Sequence, residues 1–173
     1  MNYLKNKNVY LAGPIHACKD DGIGWRNMIT PFLEKFELDV VDPCKMTING
    51  VGEVKDDKKK IIDLIKAGKF LEAKEQFYPI VRKDLRCVDR SDFIICVYDP
   101  TLHMCGTLHE LVIAHQQRKP IFLYFDKKNI EKVNPWILTF VKASWIFTDW
   151  QEMLDQLKEI DAGHFDSSYW TIS

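Results

Sequence analysis

Short uninterrupted apolar runs alternate along this chain with longer segments in which apolar residues recur every three or four positions. The first pattern predicts buried strands and the second amphipathic helices. Residues 8–12 (NVYLA), closed by Gly13-Pro14, are expected to form a first buried strand ending in a loop. The polar stretch HACKDDGIG follows and is expected to lie over whatever binds at the end of that strand. Helical spacing returns in 25–36 (WRNMITPFLEKF), where Pro31 marks a kink or a new start. A second strand is expected at 38–41, before Asp42-Pro43.

After a loop from Lys45 to about Glu53, the mixed-sign run of residues 55–60 (KDDKKK) predicts solvated helix surface. Ile61, Ile62, Leu64 and Ile65, then Phe70, Leu71, Phe77 and Ile80, continue as one or two amphipathic helices broken near Gly68, with helical character reaching Arg90. Residues 91–124 (SDFIICVYDPTLHMCGTLHELVIAHQQRKPIFLY) read as strand, loop, helix and strand, a βαβ unit. A short helix at 135–141, a last strand at 144–147 and a final helix at 149–160 complete the pattern. Five strands alternating with helices predict an α/β fold, a flavodoxin- or Rossmann-like five-stranded parallel sheet with helices on both faces. A length of 173 residues, 46% of them hydrophobic, suits one domain over 1–173.

Lys and Arg number 24 against 25 Asp and Glu. That balance offers no broad positive field for polymeric nucleic acid or an anionic membrane, and a small-molecule partner fits better. The cysteines (Cys18, Cys44, Cys87, Cys96 and Cys105) form no CxxC pair and are odd in number, as expected of reduced thiols in the cytoplasm. The N-terminus enters a short strand without a signal-like or membrane-spanning apolar run, so a soluble cytoplasmic protein is expected.

The βαβ unit holds the most suggestive carboxylate. If its helix opens near Gly106 and Thr107, Glu110 lies in the first turn, just past the carboxyl end of a buried parallel strand. Ligands bind at that edge in open α/β sheets, and the helix N-terminus favours an ionised carboxylate, a usable nucleophile. The same residues also fit a capping box in which Thr107 and Glu110 satisfy each other's backbone donors, with no substrate involved. Tyr10 reads either as a core aromatic or as a site residue, and Asp84, Asp99 and Asn134 each read either as site residues or as local caps and turns. His103 and His109 flank Glu110 and read either as surface or cap histidines or as contacts to a phosphate or base, and no fourth ligand accompanies His103, Cys105 and His109, so no metal is assigned. Trp25 is a candidate to stack on a ring or to anchor the core, and Asp20 or Asp21 to read a polar edge, with Lys19 and Arg26 in the same loop.

Taken in order, VYLAGPI, KDL, DFIICVYDP, GTLHELVIAH and NPWIL resemble the nucleoside 2-deoxyribosyltransferase family, especially its divergent phage-type members, over most of residues 8–141. The C-terminal GHFDSSYWTIS is similar to the tails of those phage relatives. The resemblance implies an enzyme without a cofactor in which Glu110 attacks the anomeric carbon of a 2'-deoxynucleoside and holds a covalent sugar until a second base captures it. It further implies Asp84 as the acid on the base side and Tyr10 as the phenol that orients Glu110. Gly13, Asp20, Trp25, Asp99, Met104 and Gly106 would line the substrate, and Asn134 would reach the sugar 5'-hydroxyl of a neighbouring subunit in a homo-oligomer. Two departures stand out: Met104 occupies a position where the transferases carry a further Asp, and Val112 replaces a glycine after Glu110-Leu111. The related reading is a hydrolase of deoxynucleoside 5'-monophosphates, although the loop offers only Thr101, His103 and Thr107 for a phosphate. A non-catalytic nucleotide or base sensor, with Glu110 as a cap, is the reading from another class.

Overall fold

The computed structural model describes residues 2–15, 18–46 and 55–166. Five strands, β1 (Asn8–Ala12), β2 (Asp39–Val41), β3 (Phe93–Val97), β4 (Ile121–Tyr124) and β5 (Ile146–Phe147), form one sheet. Their order is β2-β1-β3-β4-β5 and every pairing is parallel. Six α-helices connect and cover them: α1 (Ile23–Glu34), α2 (Lys55–Lys66), α3 (Phe70–Arg90), α4 (Cys105–Gln116), α5 (Pro135–Leu138) and α6 (Trp150–Asp161). The chain moves outward from β1 to β2, then crosses back to place β3 on the other side of β1. That reversal opens a crevice between the carboxyl ends of β1 and β3, where open α/β sheets bind ligands.

Alternation along the strands builds two cores. Val9, Leu11, Phe93, Ile95 and Phe122 face one side of the sheet, with Ile29 and Leu33 of α1 and Met153 and Leu157 of α6. Tyr10, Ala12, Ile94, Cys96 and Leu123 face the other, with Cys87 and Val88 of α3 and Leu111 and Ala114 of α4. Tyr10 is paired with Ile94 and completely buried, so its ring belongs to the α3 and α4 side.

Several expected boundaries move for identifiable reasons. The helix read at 25–36 begins at Ile23, because Asp20 accepts hydrogen bonds from the Gly22 and Gly24 amides at its start. Pro31 and Pro79 both sit inside helices, on exposed positions four residues after the exposed Asn27 and Glu75, whose carbonyls solvent can satisfy. Gly68 (φ 73°) ends α2 in the left-handed conformation, with Gly68 N–H bonded to Ile65 O and Lys69 N–H to Leu64 O. Such a cap suits glycine and explains the break between α2 and α3. The last strand is shorter than expected, since residues 143–145 form a 3-10 turn that stacks Trp145 on Phe122 at 5.1 Å. Lys59 and Lys60 of the charge run are exposed on α2. Residues 16–17 of the polar HACKDDGIG stretch, most of the 45–53 loop and the last part of the GHFDSSYWTIS tail lie outside the described residues.

Arg26 has a different place from the one expected of a loop residue closing over a ligand: it is fully buried in α1. Its guanidinium donates to Leu11 O, Gly13 O and Gly22 O, and its Nε lies 3.5 Å from Asp42 Oδ1. One side chain thereby fastens the β1 exit, the start of α1 and the end of β2. Arg26→Met is expected to lower unfolding free energy by about 3–5 kcal/mol, because it leaves Asp42 and several carbonyls buried without their donor. Urea denaturation checks this, and a loss below about 1 kcal/mol would show that the fastening contributes little.

Candidate active site

The loop after β3 is folded on itself before α4 begins. Asp99 Oδ1 accepts hydrogen bonds from Thr101 N–H (2.9 Å) and Thr101 Oγ1–H (2.6 Å), and Asp99 N–H points to Met104 Sδ at 3.2 Å. These contacts let the helix open at Cys105, earlier than Gly106-Thr107, with Met104 at the N-cap and no side-chain cap bond. Glu110 is consequently the sixth helical residue and lies in the second turn. The capping box with Thr107 does not form.

Freed from the backbone, Glu110 Oε1 accepts a 2.8 Å hydrogen bond from the Tyr10 hydroxyl, a contact that spans 100 residues of sequence and joins α4 to β1. Both side chains are buried. Burial pushes the Glu110 carboxyl up to about 8; the Tyr10 hydrogen bond pulls it down, the nearby charge of Asp84 pushes it up, and Arg26 and Lys83 pull it down. The expectation that the helix N-terminus keeps this carboxylate ionised is therefore corrected. The helix-end field fades within the first turn, whereas desolvation acts on the whole side chain.

Above Glu110 lies a cavity of about 540 Å³. Gly13, Pro14 and Ile15 border it from the β1 exit, and His103 to Thr107, His109 and Glu110 from the start of α4. The third wall belongs to α3, where Phe77, Ile80, Val81 and Leu85 surround Asp84. Spacings of three, four and seven put these residues on one helical stripe. The result is a mostly apolar slot with two carboxyl groups, suited to a flat ring attached to a polar centre. Lys83 Nζ stands 3.1 Å from Asp84 Oδ1 as an ion pair, although no donor among the described residues is aligned to hydrogen-bond that oxygen.

Of the residues singled out from sequence, Gly13, Asp84, Met104, Gly106 and Glu110 meet at this cavity, with Tyr10 directly beneath Glu110. His103 and His109 are exposed, as the surface reading has it, and border the cavity as well. Others are engaged elsewhere. Asp20 is exposed, and the Gly24 amide holds its carboxyl below the usual carboxylate range. Trp25 packs on the opposite core, stacked on Trp150, which stacks in turn on Tyr124. Asp99 closes its own turn, and Asn134 caps α5 by accepting the Trp136 N–H at 3.0 Å. His103, Cys105 and His109 form no metal-holding group among the described residues. The missed residues are Lys83 and the α3 wall; the wall's same-face spacing was readable, but nothing in the sequence says that this stripe faces a cavity.

Within the described residues no helix is long and apolar enough to cross a membrane. No curated protein matches the chain. Among solved structures, the 2-deoxyribosyltransferase of the psychrotolerant bacterium Bacillus psychrosaccharolyticus is similar in fold, with a TM-score of 0.55 and 18% identity over 96% of this chain and 97% of that one. A conserved protein from Enterococcus faecalis V583 gives 0.55 and 14% identity over 90% and 99%. A CMP N-glycosidase from Clostridium botulinum gives 0.47 and 18% identity over 89% and 99%. The model of the family described as nucleoside 2-deoxyribosyltransferase matches residues 9–159, a span that holds Tyr10, Asp84 and Glu110, and the chain belongs to that family.

Proposed function

We propose that this protein exchanges the base of 2'-deoxynucleosides through a covalent glycosyl intermediate on Glu110. The observation that carries the reading is the Tyr10–Glu110 hydrogen bond at the base of a cavity that also contains Asp84. In the first step a Glu110 carboxylate oxygen bonds to the anomeric carbon as the bond from that carbon to the base nitrogen breaks. The leaving electron pair stays on the base, whose ring nitrogen takes a proton from Asp84. In the second step an incoming base returns its proton to Asp84 and attacks the anomeric carbon, releasing Glu110. Two inversions at one carbon keep the original configuration, as in retaining glycosidases.

The geometry supplies what each step needs. An oxocarbenium-like sugar develops positive charge, and an anionic Glu110 beneath it is stabilised by that charge. Tyr10 fixes the carboxyl orientation and donates to its oxygen, leaving the other oxygen for the sugar. Because burial has raised Glu110 to about 8, the free enzyme gains its nucleophile as pH approaches and passes that value. A mostly apolar lining suits the ring faces of a departing and an incoming base.

Chromatography of a deoxynucleoside incubated with a second base is expected to show the exchanged nucleoside, and Glu110→Ala to reduce it to background. Free deoxyribose as the sole sugar product would instead identify a hydrolase. Tyr10→Phe is expected to lower kcat/KM roughly 10- to 100-fold, the range for a hydrogen bond to a charged group. Asp84→Asn should cost about 10²–10⁴-fold, as removal of a general acid does. The rising limb of kcat/KM against pH is expected near 8, and Tyr10→Phe should move it upward, since the lost hydrogen bond favours the ionised form.

Stability carries an independent signature. Between about 4.5 and about 8 the folded protein keeps a proton on Glu110 that the unfolded chain has released, so stability falls as pH rises through this window. Glu110→Gln removes that dependence while preserving an acceptor for Tyr10. Its Tm should exceed that of the wild type by more at pH 8 than at pH 5, and an equal difference at both values would contradict the buried, proton-holding carboxyl.

A further inference from the structure

Two acidic side chains share one largely apolar cavity, an arrangement opposed by repulsion and desolvation alike. A cation stands directly beside it. Lys83 precedes Asp84 on α3, and it is as buried as Asp84, each being 8% exposed. Its ammonium donates to Pro43 O at 3.3 Å and Met46 O at 3.2 Å and lies 3.1 Å from Asp84 Oδ1. Two carbonyls thus accept hydrogen bonds from the ammonium, and the Asp84 carboxylate stands beside it as an ion pair.

We propose that Lys83 is a positioning residue for cleavage of the glycosidic bond: anchored to the Pro43–Lys45 turn and Met46, it holds Asp84 against the base and offsets the negative charge that Asp84 and Glu110 concentrate in the cavity. The inference rests on the transferase reading above. Anchoring sets the direction. A lysine on a helix surface would swing freely, whereas the two carbonyls fix this ammonium behind Asp84. As Asp84 gives its proton to the departing base, the carboxylate it becomes already has a counter-charge in place, with no reorganisation required. When the incoming base returns the proton, the same contact relaxes to that of a neutral acid.

Among the described residues, the two carboxyls share their cavity with His103, Cys105 and His109 from the start of α4. Glu110 meets the Tyr10 hydroxyl from β1, the charges of Asp84 and Lys83 from α3, and that of Arg26 from α1. The Cys96 thiol of β3 is shifted upward, chiefly by burial and also by Glu110. On α3 the Cys87 thiol is raised by burial and by Asp84 and lowered by Lys83, and its sulfur touches Met46 Sδ at 3.5 Å. Arg26 is committed to three carbonyls and Asp42, which leaves Lys83, among the described residues, as the cation in direct contact with a cavity carboxyl.

The test follows the Glu110 carboxyl itself, by carbon-13 NMR of carboxyl-labelled glutamate with Glu110→Gln supplying the assignment, in wild type, Lys83→Met and Lys83→Arg. The Glu110 midpoint is expected to move upward in Lys83→Met and to stay near wild type in Lys83→Arg. In base exchange, kcat should fall roughly tenfold or more in Lys83→Met while KM changes little, and Lys83→Arg should recover most of the loss. An unmoved midpoint in Lys83→Met, with activity reduced only in proportion to the folded fraction, overturns the proposal and leaves Lys83 a fastener of the turn. Should Lys83→Met fail to fold, Lys83→Gln, whose amide can still donate to the carbonyls, takes its place under the same criterion. The titration needs no turnover, so a shifted midpoint in a protein that exchanges no base would contradict the transferase reading while supporting the electrostatic role.

Discussion

One hydrogen bond, from the Tyr10 hydroxyl to the Glu110 carboxyl, joins the first strand of the sheet to the helix after the third. It is made in surroundings that disfavour a charge, and Glu110 is held near a pKa of about 8 as a consequence. Without the phenol, burial would act on the carboxyl with less opposition; in water, the carboxyl would be ionised but too well solvated to attack a sugar. Between those limits lies a carboxyl that gives up its proton as pH rises through about 8, which the proposed exchange reaction requires of a nucleophile.

The rest of the fold keeps that pair in place. Strand alternation sends Tyr10 to the α3 and α4 face, and the reversal of strand order puts the β1 and β3 exits side by side. Two buried cations reinforce the region from behind. Arg26 fastens the β1 exit by its own carbonyls, and Lys83 ties α3 to the turn after β2. Each is buried with its donors directed at backbone oxygens, which is how long basic side chains become structural struts.

Much of this is legible in the amino-acid sequence. The five strands and the break at Gly68 follow from apolar runs and one left-handed turn, signals that are local in sequence. Glu110 was legible as a candidate, but whether it capped its helix or faced a cavity depended on where that helix starts, and the Asp99–Thr101 turn and the Met104 sulfur decide that start. The sequence leaves Trp25 open between ring-stacking and core-anchor readings and sets Arg26 in the loop for a related reason. Both sit beside the polar loop in sequence, yet the α1 helical face sends Trp25 to an aromatic stack and Arg26 into the interior. The partners that reveal these roles, Trp150 and Asp42, are remote in the chain and carry no local mark. Lys83 was invisible on the same grounds, since its carbonyl acceptors lie about forty residues earlier.

Base exchange by the proposed route requires a bond between Glu110 and a sugar. Its most direct measurement is peptide mass spectrometry of the protein quenched in acid after exposure to a deoxynucleoside with no acceptor base. One deoxyribosyl unit is expected on the peptide containing Glu110, absent from Glu110→Gln and discharged when a free base is added before the quench. Rapid base exchange with that peptide unmodified at every quench time, or with Glu110→Gln as active as wild type, would contradict it.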